Sequence, residues 1–158
     1  MSQAIYKPAI ALFHGRGFIS AAIRWQTRGA YSHAAILTRE GTIVEAWQGA
    51  GVREKKITNL NGVDLYDVPG MSDEQWDGAI AFMRSHIGDG YDYWAIVRFI
   101  SRRNMPANDN WFCSELVFEA MTRNDVHLFL RIVASAVSPS LIGISPRIEP
   151  RHETEIIH

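Results

Sequence analysis

The amino-acid sequence predicts an α+β fold, with a small antiparallel sheet packed against helices, on three observations. Short β-type runs separated by turn signals fill most of the first half, after one early helical stretch. Apolar residues at helical spacing dominate the second half. No repeat, low-complexity run or linker divides the 158 residues, so residues 1–158 are expected to form a single domain.

The elements follow in chain order. "PAIALFHG" reads as a short buried strand ended by Gly15 and Gly17. "FISAAIRWQTRG" has helical spacing, with Gly29 placed to end it. "YSHAAILT" and "TIVEAWQ" are two strands joined by "REG", a hairpin signature, and "GVREKKIT" and "GVDLYDVP" are further strands before the stop at Pro69-Gly70. "SDEQWDGAIAFMRSHIG" is the clearest helix. Ser72 and Gln75 make a capping box, Asp73 and Glu74 suit the positive end, and Trp76, Ala79, Ile80, Met83 and Ile87 form the apolar stripe. "DGYDYWAIVRFISRR", "CSELVFEAMTR" and "HLFLRIVASAV" are expected to be three more helices, the second entered from the polar turn "ANDN". The end of the chain is punctuated by Pro and Ser and then turns polar, so a mobile tail is expected from about residue 150.

Composition narrows the function classes. The chain is 47% hydrophobic and 21% charged with a formal net charge of −1, a balance without the basic footprint of a nucleic-acid binder or a lipid-binding tail. One cysteine forms no internal disulfide, so the fold does not need an oxidising compartment. "MSQAIYKPAIALFHG" lacks the parts of a signal peptide, and the longest apolar runs, broken by Arg98 and Arg131, are too short to cross a bilayer. A soluble, cytoplasmic protein is the default expectation; release by lysis of a bacterial or phage-infected cell is compatible with it.

The lone cysteine, Cys113, carries the chemistry. A free cysteine is more often a small buried hydrophobe than a nucleophile. Here Asn108, Asp109 and Asn110 are N-cap candidates just upstream, which places Cys113 in a first helical turn, where N–H groups and the dipole favour a thiolate and a developing oxyanion. Leu116, Val117, Ala120 and Met121 anchor that helix without the sulfur.

A base follows from the hairpin. If Arg39, Glu40 and Gly41 form a three-residue loop, Thr38 faces Thr42, Ala35 faces Glu45 and His33 faces Trp47. His33 and Glu45 are then diagonal neighbours on one sheet face, with Cβ atoms roughly 7 Å apart or less. A two-residue loop would put them on opposite faces. Glu45, in an apolar strand, needs a partner, and His33 is the obvious one. His14 is the only serious rival base; no other histidine has an acidic strand partner in view.

"YSHAAIL", "VEAW", "GDGYDYW", "WFCSELV" and "SPSLIGIS" together resemble the circularly permuted branch of the NlpC-type papain-like cysteine peptidases, the YiiX-like group, from about Ile10 to Ile148. In that branch the histidine and its acidic partner precede the cysteine, as His33 and Glu45 precede Cys113. The resemblance implies a papain-like fold and a thiol hydrolase, with Cys113 as nucleophile, His33 as general base and Glu45 orienting the imidazole. It gives Tyr91 a substrate-side position, and Trp47, Trp111 and Phe112 are candidates to line a groove. It implies cleavage of an amide in a peptide or peptidoglycan stem. A lipid or other acyl ester or thioester is the runner-up, because related permuted folds of the lecithin retinol acyltransferase type act on acyl chains. A non-catalytic binding protein on the same fold is the alternative from another class. No cofactor is expected, and no metal either, since Cys113, His33 and Glu45 lack the close paired ligands of common zinc sites.

Overall fold

Six strands form one antiparallel sheet in the order β5-β4-β3-β2-β6-β7: β2 (Ala9–Phe13), β3 (His33–Leu37), β4 (Thr42–Trp47), β5 (Gly51–Lys56), β6 (Val63–Asp67) and β7 (Glu149–Pro150). The computed structural model describes residues 5–15, 29–92 and 111–152, and the backbone of 156–157. A second, two-stranded sheet pairs β1 (Ile5–Tyr6) with β8 (Ile156–Ile157). The helices are α1 (Asp73–Ser85), α2 (Cys113–Thr122) and the short α3 (Pro139–Gly143). The architecture is α+β.

Successive residues of a strand face opposite sides of a sheet. Ile10, Leu12, Ala34, Ile36, Val44 and Ala46 join the main core with Trp76, Ala79, Ile80 and Met83 of α1 and Leu116, Val117, Ala120 and Met121 of α2. Ala9, Ala11, Ala35, Leu37 and Ile43 form a smaller core on the other face. Each large aliphatic side chain taken fully out of water contributes about 1.5–3 kcal/mol, so the main core holds α2 against the sheet.

The hairpin has the three-residue loop. Ile36 pairs with Val44 and Leu37 with Ile43, Thr38 N–H donates to Thr42 O at 2.8 Å, and Gly41 takes the left-handed φ of 73°. The α1 capping box forms as expected: Ser72 Oγ accepts from Gln75 N–H, and the Gln75 side chain accepts from Ser72 N–H.

Several expectations need correction. α1 ends at Ser85, and the chain turns away through Gly88, so Ile87 falls beyond the stripe and is exposed. Residues 127–137 form no α-helix. Arg131 adopts a left-handed φ of 64°, only Ala134–Ala136 make a 3₁₀ turn, and Leu130 and Val133 point to solvent. That run has β-branched residues and a serine, which are poor helix formers, and two of its carbonyls are taken by serine side chains. Ser114 Oγ donates to Val137 O, and Ser145 Oγ donates to Leu128 O. The residue that caps α2 is Phe112, in extended conformation and without a side-chain cap, rather than Asn108, Asp109 or Asn110. Those three, and the helices expected over 18–28 and 93–103, lie outside the described residues. Residues 89–92 are not helical: Tyr91 makes a parallel bridge with Trp111.

The chain at residue 151 is firmly held. Arg151, its side chain 4% exposed, donates to both oxygens of Asp67 and to the carbonyls of Lys7 and Pro8.

Candidate active site

His33 is the first residue of β3 and Cys113 the first of α2, so both side chains sit at element ends, where a sheet and a helix can meet. Glu45 lies mid-strand in β4, fully buried, on the face the hairpin register dictates. His33 Nε2 lies 2.6 Å from Glu45 Oε2. With that nitrogen committed to the carboxylate, Nδ1 is the one left for the sulfur. The ring is held between Phe13 and Trp47, each with its ring centroid 5.1 Å away, the Trp47 ring perpendicular to it.

The electrostatics reinforce the contact. Burial by itself would depress the imidazole. Coulombic attraction and a hydrogen bond to Cys113, followed by the same two interactions with Glu45, outweigh it and push His33 up to about 9. Burial likewise opposes the charge on Glu45, and hydrogen bonds from His33 and Arg53, with Lys55 nearby, hold its carboxyl below the usual range. Cys113 is 1% exposed and His33 8%.

The remaining predicted residues are placed as follows. Trp47 packs on the imidazole and is itself covered by Arg53, at 4.8 Å, and Lys55, at 5.3 Å from the ring centre. Trp111 donates its indole N–H to Asp89 Oδ2 at 3.1 Å and meets the rings of Phe82 and His86. Tyr91 is buried, with its ring 6.0 Å from Phe112. A cleft of about 480 Å³ at the β6 edge, lined by Leu60, Asp64, Tyr66, Arg151 and His152 among others, includes none of these residues.

One other histidine, His14, has an acidic strand partner, contrary to expectation, and His86 pairs with a loop aspartate. His14 Nε2 lies 2.8 Å from Asp64 Oδ2, which also accepts from Tyr31 Oη, and His86 Nδ1 lies 2.7 Å from Asp89 Oδ2. Asp64 escaped notice because β2 pairs with β6 across some fifty residues of sequence, Leu12 opposite Asp64. Arg53 was also missed, although a signal existed. Three residues between Trp47 and Gly51 set Glu45 directly opposite Arg53, an acid–base cross-strand pair.

The fold matches that of a solved structure. The crystal structure of metalloprotein yiiX from Escherichia coli O157:H7 matches with a TM-score of 0.71 at 17% identity, covering 99% of this chain and 100% of that one. This is a YiiX-like fold. Likeness at that identity speaks for the fold alone. No protein-family model matches the chain, and no curated protein does.

The yiiX protein is described as a metalloprotein, which raises the question of a metal here. Among the described residues no group of three or more His, Cys, Asp and Glu side chains is placed to hold an ion. Glu45 Oε1 is already neutralised by Arg53, and Oε2 is taken by His33, a poor donor set for a cation. The Glu45 carboxylate, with both oxygens so engaged, does not fit a metal. Among the described residues, no helix is long and apolar enough to cross a membrane.

Proposed function

We propose that the protein is a cysteine hydrolase acting on an acyl carbonyl, an amide of a peptide or peptidoglycan stem before an ester or thioester. The observation that supports it best is a buried imidazole that hydrogen-bonds to the carboxylate of Glu45 and is held charged chiefly by the sulfur of Cys113 and then by that carboxylate. His33 Nδ1 takes the thiol proton, and the sulfur bonds to the carbonyl carbon, whose oxygen takes the electron pair as an oxyanion. Backbone N–H groups at the start of α2, where Phe112 brings no side-chain acceptor, stabilise that charge. The oxyanion collapses, the C–N bond breaks, and the amine leaves with the proton from His33. Water then attacks the thioester while His33 accepts a proton, and the acid departs with the thiol restored. Glu45 holds the ring in the tautomer that leaves Nδ1 facing the sulfur.

Cys113→Ala and His33→Ala should each abolish hydrolysis of muropeptides or acyl esters while leaving the fold intact, and the double variant should lose no more than either single one. Hydrolysis retained by either single variant would overturn the proposal. A screen of both substrate classes decides between amide and ester. The non-catalytic alternative is favoured by one observation, the 1% exposure of Cys113. Iodoacetamide discriminates. A thiolate paired with an imidazolium alkylates well below the usual thiol value of about 8.5, whereas an inert core thiol reacts only on unfolding.

A further inference from the structure

Glu45 has two oxygens, and His33 uses only one. The other, Oε1, accepts from Arg53 Nε at 3.0 Å and lies 2.9 Å from Arg53 Nη2; Lys55 Nζ stands 3.8 Å away. Arg53 pairs directly opposite Glu45 across the β4–β5 ladder and stacks its guanidinium over Trp47, whose ring packs perpendicular to the imidazole. The charged groups facing Glu45 are thus His33 from β3 and Arg53 and Lys55 from β5, with Cys113 reached through His33.

A wholly buried carboxylate tolerates its charge only with a cation beside it. During hydrolysis His33 alternates between imidazolium and neutral ring, so for part of every cycle it is no such cation. A guanidinium, unlike an imidazole, keeps its charge through such a cycle. We infer that Arg53 is a positioning residue acting through Glu45: it occupies Oε1 and keeps the carboxylate charged and aimed at His33 in both states of the ring. This rests on the cysteine-hydrolase function proposed above, but the Arg53–Glu45–His33 linkage can be read without turnover. Lys55, farther away and 46% exposed, cannot replace the two-nitrogen grip.

The test uses Arg53→Met, which keeps length and apolar stem, and Arg53→Lys, which keeps the charge, each alone and combined with Glu45→Gln. Hydrolysis and iodoacetamide alkylation are followed against pH, with thermal melts as a check on folding. In Arg53→Met the acid-side midpoint of both profiles should move up by about one pH unit, because Glu45 now accepts a proton and ceases to support the imidazolium. Arg53→Lys should recover most of that shift. In the Glu45→Gln background the Arg53 substitution should move nothing further. An unshifted profile, or an equal shift with and without Glu45, would overturn the inference. If wild-type Cys113 neither turns over nor alkylates, the hydrolase proposal fails. NMR titration of His33 in Cys113→Ala protein then decides the linkage separately: Arg53→Met must move the imidazole midpoint there, and an unmoved midpoint rejects it. Should Arg53→Met fail to fold, Arg53→Lys carries the same test, with a smaller shift that must still vanish in Glu45→Gln protein.

Discussion

The proton on His33 offers the most direct check on the site. In the unfolded chain a histidine titrates near 6.5, and in the folded protein His33 is held up to about 9. A displacement of that size corresponds to about 3 kcal/mol of preference for the charged ring. Because the folded value lies above the unfolded one, the stabilisation is present in full below about 6.5 and disappears as pH rises through about 9. Burial opposes the shift; Cys113 is the stronger supporting partner and Glu45 the weaker. Cys113→Ala should therefore lower the imidazole midpoint more than Glu45→Gln, and Glu45→Gln should lower it by about one unit. The measurement is an NMR titration of isotope-labelled histidine, with the His33 signal assigned by its loss in His33→Gln. A wild-type midpoint near 6.5, or a larger fall in Glu45→Gln than in Cys113→Ala, would mean that the sulfur is not the ring's principal partner. Hydrolysis should decline above about pH 9, where His33 no longer has a proton to give the leaving group.

Other consequences follow from the scaffold. Arg151→Met leaves Asp67 with only Lys7, at 3.5 Å, and strips the Lys7 and Pro8 carbonyls of the guanidinium donor; with Asp67 28% exposed and able to rehydrate, the loss should be about 2–3 kcal/mol, or roughly 5–10 °C in melting temperature. Arg151 and Lys7 hold the Asp67 carboxyl low against burial, so part of that difference should vanish as pH falls below about 4. Gly41→Ala should cost about 1–2 kcal/mol in urea unfolding, because φ is 73° and the new Cβ would lie 2.6 Å from the Tyr6 ring; by disturbing the loop that sets His33 beside Glu45, it should also slow alkylation of Cys113. Ser72→Ala removes half of the capping box and should cost about 1 kcal/mol without changing the alkylation profile.

Local signals were legible wherever one turn or cap governed the outcome. The Gly41 loop determined the hairpin register and, with it, the shared face of His33 and Glu45. Ser72 and Gln75 determined the start of α1. The same logic failed for residues 127–137, where apolar content suggested a helix but the carbonyls of Leu128 and Val137 are engaged by Ser145 and Ser114. It also failed for His14 and Asp64, whose meeting depends on β2 choosing β6 as its second neighbour.

By itself, then, the sequence determined the α+β class, the thiol's place in the first turn of a helix, and an imidazole and a carboxylate as diagonal neighbours on one sheet face. Periodicity, turn chemistry and capping act over a few residues and need no knowledge of the rest of the chain. Only the tertiary structure decided that α2 delivers Cys113 to His33, that Arg53 closes over the far side of Glu45, and that Arg151 ties the late chain to Asp67. Those contacts join residues far apart along the chain, and it is burial of a shared core, rather than any local preference, that selects which of them form.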